Sequence, residues 1–311
     1  MYYIGVDIGG MSIKCGLVQD DGNIIKRAKI ATPLNDTVGL LNAVTSVISK
    51  VLSMANMSLN DVAGVGVGVP GVVDCEGEVK FASNLTSESF PFGKMLKDKL
   101  GTKVVLANDA DCAVLGEFEV GSVKGISDVV MVTIGTGIGG GIIMGGKLFS
   151  GGSGMGGEIG HISTGGNQLC TCGRRGCLET EVSATALIRR TEEYIENYPD
   201  SELKKIKTED GETTGMTVFK AMARGDELAK KLYKEFIFDL GEGLVSLANV
   251  FRPRVILIGG GISAEGEKIT KPLQEHVDKY VYGGEKVGRV EIRCATLGND
   301  AGIIGSAFLV K

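Results

Sequence analysis

Short apolar runs that end in paired or tripled glycines recur along the chain, a pattern that predicts β-strands leading into tight loops. Residues 2–8 (YYIGVDI), 12–19 (SIKCGLVQ) and 24–31 (IIKRAKIA) form a first set of three, separated by a Gly-Gly pair and a DDGN turn. Residues 128–149 (DVVMVTIGTGIGGGIIMGGKLF) repeat this layout of strand, glycine turn, strand, tight turn and strand. The recurrence predicts an internal duplication of one βββ unit.

The segments between and after these units predict helices alternating with buried strands. Residues 37–55 place apolar side chains at helical spacing, with Thr37 as the expected N-cap. The run KVVLAND (103–109) predicts a buried strand with two polar residues at its tip, followed by an Ala-rich helix. RVILIGGGIS (254–263) predicts another buried strand that runs into three glycines. We therefore expect an α/β protein of two related lobes with mixed sheets.

Lobe boundaries are expected near residues 108 and 298. A smaller N-terminal lobe would contain residues 1–108 and the tail helix at 298–311, and a larger C-terminal lobe would contain residues 109–297. The larger lobe would carry a metal-binding loop at 157–179 and a helical, charged insertion near 195–215. A cleft between two such lobes is the expected position of a binding site.

Composition limits the kinds of partner. The formal net charge of −5 over 311 residues gives no basic footprint for nucleic acid. The 48 glycines are about twice the usual share of roughly 7%. Because they cluster after apolar runs, they indicate backbone that approaches a ligand closely.

The N-terminal sequence and the cysteine content indicate the cellular compartment. The N-terminus MYYIGVDIGG lacks the basic and apolar regions of a signal peptide, and no apolar run reaches the roughly 18 residues of a membrane span. Seven cysteines without an export signal favour reduced thiols and a metal over disulfides. We expect a cytoplasmic protein without a membrane or nucleic-acid partner.

The span GEIGHISTGGNQLCTCGRRGCLE (157–179) groups one histidine with three cysteines. His161, Cys170, Cys172 and Cys177 have the spacing H-x8-C-x-C-x4-C. Four such ligands complete a tetrahedral set with no open position, which predicts a structural zinc site. A nucleic-acid-binding zinc knuckle is an alternative, as is a redox pair, but the span has no interleaved aromatic residues. His161 could bind zinc through one ring nitrogen and donate a hydrogen bond through the other.

Three strand–glycine junctions, VDIGG, TIGTGIGGG and LIGGG, could each direct backbone N–H groups at phosphate oxygens. GTGIGG (135–140) fits the dinucleotide fingerprint, but a strand rather than a helix should follow it, which argues against a nicotinamide cofactor. GIIMGGK fits most of a P-loop, yet Leu148 stands where Ser or Thr must bind magnesium. Asp7, beside the first junction, could hold Mg²⁺ against phosphates or could bond its own loop.

Seven motifs occur in an order that resembles the ROK family (repressors, open reading frames, kinases), most closely its bacterial glucokinases. They are VDIGGMSIKCGLV, GVGVPGVVD, NDADCAVLGE, TIGTGIGGGI, GEIGH, CTCGRRGCLE and VILIGGGIS. The resemblance covers the chain except for the 195–215 insertion. It implies a two-lobed, actin-like ATPase fold of the sugar kinase and heat-shock ATPase type, with duplicated mixed sheets and a zinc-stabilised loop. It also implies ATP with Mg²⁺ as phosphate donor, a hexose or hexosamine as acceptor, and a homodimer.

The resemblance implies roles for individual residues. Asp109 corresponds to the catalytic base of the family, and sugar contacts correspond to Gly71, Asn108, Asp109, Glu158, His161 and Glu179. Nucleotide contacts are implied in the first phosphate loop (Asp7, Gly9, Gly10, Ser12, Lys14), the second (Thr133, Gly135, Thr136, Gly137) and the adenosine loop (Gly259, Gly260, Gly261). An alternative interpretation of Asp109 is the N-cap of the helix that follows.

The sequence departs from the family pattern at three points. Met11 stands where the first loop usually has Thr, so Ser12 is the remaining candidate for a hydroxyl contact to phosphate. The spacer from His161 to Cys170 is one residue shorter than usual, and Glu181 replaces an aromatic or small residue.

The resulting hypothesis is an ATP-dependent hexose kinase that converts glucose to glucose 6-phosphate in glycolysis. A kinase for N-acetylmannosamine or another hexose or hexosamine is an alternative. A non-catalytic, sugar-sensing regulator that lacks its DNA-binding domain is a second alternative; with the first strand expected at Tyr2, we expect no N-terminal helix-turn-helix domain unless the sequence is truncated.

Overall fold

A computed structural model describes residues 1–82, 85 and 88–311, with Glu285 described by its backbone alone. The strands are β1 (Tyr2–Ile8), β2 (Ser12–Gln19), β3 (Ile24–Ala31), β4 (Val65–Val69), β5 (Val72–Val73), β6 (Val79–Phe81), β7 (Val104–Asn108), β8 (Val129–Ile134), β9 (Ile138–Met144), β10 (Lys147–Leu148), β11 (Val255–Gly260) and β12 (Glu291–Cys294). The helices are α1 (Thr37–Met54), α2 (Phe92–Leu100), α3 (Asp109–Glu119), α4 (Leu178–Val182), α5 (Ala184–Asn197), α6 (Glu202–Asp210), α7 (Thr217–Ala223), α8 (Glu227–Phe251), α9 (Glu267–Tyr280) and α10 (Ala301–Phe308).

Two five-stranded sheets have the same strand order. The first is ordered β3-β2-β1-β4-β7, with β1 antiparallel to β2 and parallel to β4, and β4 parallel to β7. The second is ordered β10-β9-β8-β11-β12, and its last pair, β11 and β12, is also parallel. Each sheet therefore starts with a three-strand meander and adds two later strands, which confirms the predicted duplication and the mixed α/β fold class.

Helix α1 covers the first sheet with an apolar stripe. Its buried side chains, Leu40, Val44, Val47, Ile48, Val51 and Leu52, belong to a core cluster with residues of β1, β2 and β4. Among the described residues α1 is the one helix long and apolar enough to cross a membrane by length and composition, and in this fold its stripe lies in the core. Its N-cap is Asp36, not Thr37 as predicted. The Asp36 carboxylate accepts from the Gly39 amide at 2.7 Å, and its charge suits the positive end of the helix.

Helices α3 and α10 pack backbone against backbone through glycines. A Cβ on Gly305 would lie 1.6 Å from the carbonyl oxygen of Cys112, and a Cβ on Gly116 would lie 2.7 Å from that of Ala301. No side chain fits at such distances, so both positions require glycine. This close packing fixes α3, whose first turn carries Asp109.

A buried carboxylate fixes the other end of α3. Glu117 has no exposed surface, and its oxygens accept from the amides of Ser122, Thr296 and Leu297 at 2.8, 2.6 and 2.7 Å. Hydrogen bonds to an ionised acceptor are among the stronger ones in proteins, and they offset the loss of hydration on burial. Glu117 therefore ties the end of α3 to the segment that leads into α10.

Contacts group the chain into two compact units. The first contains Met1–Met131, Gly141–Gly157 and Ala295–Lys311, and the second contains Val132–Gly140 and Glu158–Cys294. The lobe boundaries expected from the sequence, 1–108 with 298–311 and 109–297, stay a prediction. Helix α6 lies within the predicted insertion at 195–215, in the second unit.

Candidate active site

The five residues predicted for the first phosphate loop lie in the first unit, in the loop between β1 and β2 and in the strand ends beside it. Asp7 is the penultimate residue of β1 and its side chain is 17% exposed. Its Oδ2 lies 3.1 Å from the Lys14 ammonium. A Cβ on Gly302 of α10 would lie 2.9 Å from the Asp7 carboxyl carbon, so helix backbone packs against this group. The described residues show Asp7 bonded to Lys14 rather than to its own loop, unlike the alternative considered from the sequence. Gly9, Gly10 and Ser12 form the turn itself.

Asn108 and Asp109 lie where β7 passes into α3. The Asn108 side chain is the N-cap, because its oxygen accepts from the Ala110 amide at 2.8 Å. Its amide group donates to the Gly71 carbonyl at 2.9 Å, which brings two predicted sugar contacts together. Asp109 is the first residue of α3, and its Oδ1 also accepts from the Ala110 amide, at 2.9 Å. The alternative in which Asp109 is the N-cap is wrong, since Asn108 takes that position.

The second and third glycine loops meet in the second unit. The loop after β8 leads into strand β9 rather than into a helix, as expected for a chain without a dinucleotide fold. Gly260 has a φ of +84°, and a Cβ there would lie 2.1 Å from the carbonyl oxygen of Ile134. The Gly135 carbonyl accepts from the Ala184 amide at 2.9 Å, and the Thr136 carbonyl accepts from the Thr185 hydroxyl at 2.8 Å. The two loops and the start of α5 are therefore held together by backbone contacts.

These loops border a cavity of about 320 Å³. Three of the predicted nucleotide residues line it, namely Gly135, Thr136 and Gly261. The other lining residues are Ile134, Ala184, Leu187, Gly215, Met216, Phe219, Phe236 and Ile262. The wall is almost wholly apolar, as in pockets that hold a flat ring system. Thr133, Gly137, Gly259 and Gly260 are close in sequence to the wall but do not line it.

Sequence reasoning missed the apolar side of this cavity. Gly215 is the last residue of the predicted insertion at 195–215, Met216 follows it, and Phe219 belongs to α7. One signal was present: the run TTGMTVF at 213–219 returns from polar to apolar residues through a glycine. Its position beside the β8 loop depends on tertiary packing, which periodicity does not report.

The four predicted metal ligands come together in the second unit. The ligand atoms of His161, Cys170, Cys172 and Cys177 all lie within 4.8 Å of one another. His161 Nδ1 is 3.5 Å from Cys170 Sγ, and the sulfurs of Cys172 and Cys177 are 3.6 Å apart. A tetrahedral zinc with Zn–S near 2.3 Å and Zn–N near 2.0 Å separates its ligand atoms by about 3.5–3.8 Å. The donor set and its spacing are consistent with a structural zinc site.

The thiol pKa values of two cysteines in the cluster are shifted in opposite directions. Burial raises the pKa of the Cys177 thiol to about 12. The backbone amide of Arg174 lowers the pKa of Cys172, which is exposed. A cation at the centre of the cluster would favour the thiolate of both, because thiolates are the metal-binding form.

The two arginines of this loop donate hydrogen bonds to backbone carbonyls of the same loop. Arg174 donates to the His161 carbonyl at 3.2 Å, and Arg175 donates to the Asn167 carbonyl at 2.8 Å. Gly176, with a φ of +71°, allows the backbone to pass so close to Gly166 that a Cβ would lie 2.2 Å from its carbonyl oxygen. The two guanidinium groups thus brace the loop.

Glu158 and Glu179 flank the cluster. Glu179 is in the first turn of α4, and its Oε2 accepts from the Ile138 amide at 2.9 Å. Glu158 precedes the 3₁₀ turn Ile159–His161. Desolvation raises the pKa of the Glu158 carboxyl, and the Glu179 charge adds to this, whereas His161 opposes it. A carboxylate that is partly desolvated, as Glu158 is, is stabilised strongly when a ligand donates a hydrogen bond to it.

Two sheets of one strand order, with glycine loops at their strand ends, define a two-sheet α/β kinase fold. Residues 3–311 match the ROK family, and the chain belongs to that family. A glucokinase of Halalkalibacterium halodurans is 36% identical over 314 residues, which cover 100% of this chain and 95% of the relative.

A solved structure and a regulator are also similar. The ROK family glucokinase from Streptomyces griseus, in complex with glucose and AMPPNP, has a TM-score of 0.85 and 33% identity, with 99% of each chain covered. The xylose repressor of Caldicellulosiruptor bescii is 28% identical over 310 residues, which cover 97% of this chain and 77% of the repressor.

The metal cluster generates a direct prediction. Purified protein should contain about one zinc per chain, and Cys172→Ser should lose it and lower the Tm by at least about 5 °C, because a structural metal contributes several kcal/mol to folding. Metal analysis and thermal unfolding measure both quantities. Cys75→Ser, at an exposed cysteine outside the cluster, should change neither. A Cys172→Ser protein with full zinc content and an unchanged Tm would contradict the site.

Proposed function

We propose that the protein transfers the γ-phosphoryl group of ATP to a hexose, glucose above all, to give glucose 6-phosphate. The observation that carries this proposal is the apolar cavity between two glycine loops in the second unit. An apolar slot suits a purine ring, and glycine backbone beside it suits phosphate oxygens. The likeness to a glucokinase solved with glucose and AMPPNP supports the same donor and acceptor.

Asp109 is the proposed general base. Phosphoryl transfer passes through a loose transition state, so the enzyme chiefly has to position the acceptor oxygen, neutralise charge and accept a proton. Asn108 caps α3, and Asp109 is held in the first helical turn. The close packing of α3 on α10 limits movement of that turn. A carboxylate held in this way, at the junction of β7 and α3, supports the assignment of Asp109 as the base.

Glu158, His161 and Glu179 are the proposed sugar ligands of the second unit, together with Asn108 and Gly71 of the first. Carboxylates each accept two hydroxyl hydrogen bonds, and a missing hydroxyl would leave an acceptor unpaired. His161 directs Nδ1 at the cysteines, so its other ring nitrogen is the one that can donate to a sugar. Zinc, when bound, fixes the tautomer and direction of that ring.

Further proposals rest on the family. Asp7 would hold Mg²⁺ through its carboxylate, and the ion would neutralise phosphate charge. A cytoplasmic location, a role in glycolysis and a homodimer are expected from the same resemblance. Sugar sensing without turnover is the less favoured candidate, because the xylose repressor is 28% identical whereas the Halalkalibacterium halodurans glucokinase is 36% identical.

Asp109→Asn tests the base. The substitution keeps the size of the side chain and removes its proton affinity, so kcat should fall by about 10²–10⁴ while the Kd for glucose stays within about twofold. Steady-state kinetics and calorimetry give the two values. Asp98→Asn, on the exposed face of α2, is the matched control and should behave as wild type. Retained turnover in Asp109→Asn would remove the assignment.

Gly215→Leu tests the nucleotide cavity. A Cβ at Gly215 meets only Ala184, at 3.8 Å, and the residue has no positive φ, so substitution adds bulk without backbone strain. Leu should raise the KM for ATP by at least about tenfold and leave the KM for glucose unchanged. Gly215→Ala, which adds one methyl group, should stay close to wild type. Equal effects of Leu on both substrates would argue against a nucleotide in this cavity.

A further inference from the structure

Thr32, the residue after β3, makes two hydrogen bonds to the first glycine loop. Its hydroxyl donates to the Gly9 carbonyl at 2.6 Å, and its amide donates to the Met11 carbonyl at 3.2 Å. The loop itself is closed by one bond, from the Gly9 amide to the Ser12 carbonyl at 3.0 Å. Two of the loop carbonyls are therefore held by a single residue of the neighbouring strand.

This arrangement differs from an ordinary two-residue hairpin. In a closed hairpin turn the carbonyl of the first residue accepts from the amide of the fourth. Here the Gly9 carbonyl accepts from Thr32 instead. Ser12 and Ala31 lie opposite each other as a non-hydrogen-bonded pair of the β2–β3 ladder, because the ladder bond is made by their neighbours Met11 and Thr32. The Ser12 amide therefore makes no hydrogen bond to β3 either. Across the chain apart from residues 83, 84, 86 and 87, the Gly10 and Ser12 amides donate to no protein acceptor.

Because peptide groups are planar, the two Thr32 contacts also determine the directions of the Gly10 and Ser12 N–H groups. A trans peptide holds its C=O and the following N–H on opposite sides, and the described residues contain no cis peptide. Fixing the Gly9 carbonyl on Thr32 directs the Gly10 amide away from Thr32. Fixing the Met11 carbonyl directs the Ser12 amide the same way. Both amides of the loop are therefore directed away from their Thr32 contacts.

The loop has little else to hold it. The Met11 side chain is 91% exposed, so it packs on nothing that could fix the turn. The hydroxyl that contacts the loop backbone therefore belongs to Thr32, outside the glycine motif.

We propose that Thr32 is the positioning residue of the first phosphate loop. Its hydroxyl holds the Gly9 carbonyl away from the Ser12 amide, which leaves the Gly10 and Ser12 amides directed at phosphate oxygens of the nucleotide. Successive backbone amides without a protein acceptor can form an anion-binding concavity. The inference rests on the proposed nucleotide-dependent function.

Thr32→Val and Thr32→Ser form a matched pair. Valine keeps the shape and the backbone amide but lacks the hydroxyl, whereas serine keeps the hydroxyl. In Thr32→Val the Gly9 carbonyl should turn to the Ser12 amide. The KM for ATP should rise about tenfold, as expected for the loss of one well-placed hydrogen bond, with kcat and the KM for glucose within about twofold. Thr32→Ser should match wild type.

Amide hydrogen exchange at Ser12, measured by NMR without ligand, reports directly whether the Ser12 amide is hydrogen-bonded. The Ser12 amide should exchange quickly in wild type and more slowly in Thr32→Val, where it gains the Gly9 acceptor. Equal exchange in both proteins would overturn the proposal, as would a Thr32→Val enzyme with an unchanged KM for ATP. An equal rise in both KM values with a lowered Tm would also overturn it, because it would indicate a merely structural role. If wild type bound no ATP, the proposed function would fail, and the exchange result would still decide the role of Thr32.

Discussion

The contact between the Glu179 carboxylate and the Ile138 amide is the constraint on which the arrangement of the second unit depends. At 2.9 Å it joins the segment after the metal cluster to the loop after β8. Gly137 must be glycine for this contact to exist, because a Cβ there would lie 2.2 Å from Glu179 Oε2. A charged acceptor on a backbone amide is a strong hydrogen bond, and here it also specifies where two loops meet.

One short segment, residues 177–185, consequently serves three purposes. Cys177 is a candidate metal ligand, Glu179 a candidate sugar ligand, and Ala184 a wall of the nucleotide cavity. The Ala184 amide and the Thr185 hydroxyl both donate to the β8 loop. The candidate metal, sugar and nucleotide residues are therefore linked through a few hydrogen bonds, so a structural metal would stabilise this segment without taking part in the reaction.

The sequence predicted the parts of this structure that depend on local pattern. Strand positions, the duplicated unit and the four-ligand cluster follow from periodicity and spacing, and the structure confirms them. The N-cap of α1 was wrong by one residue, because adjacent Asp36 and Thr37 both suit a cap and only the backbone geometry decides between them.

Tertiary contacts account for what was missed. Met216 and Phe219 reach the cavity through the packing of α7, and Thr32 reaches the glycine loop through the pairing of β2 with β3. The separation in sequence is large in each case, so no window of residues around the motif contains the information. The roles of the site residues came from the resemblance to the ROK family and stay predictions until variants are measured.

ADP release, coupled to a spectrophotometric readout over a panel of glucose, mannose, N-acetylglucosamine and N-acetylmannosamine, tests the central claim most directly. We expect release that requires both ATP and sugar, with the highest kcat/KM for glucose. Binding of a sugar without stimulated ADP release for any member of the panel would contradict a kinase and favour a sugar sensor.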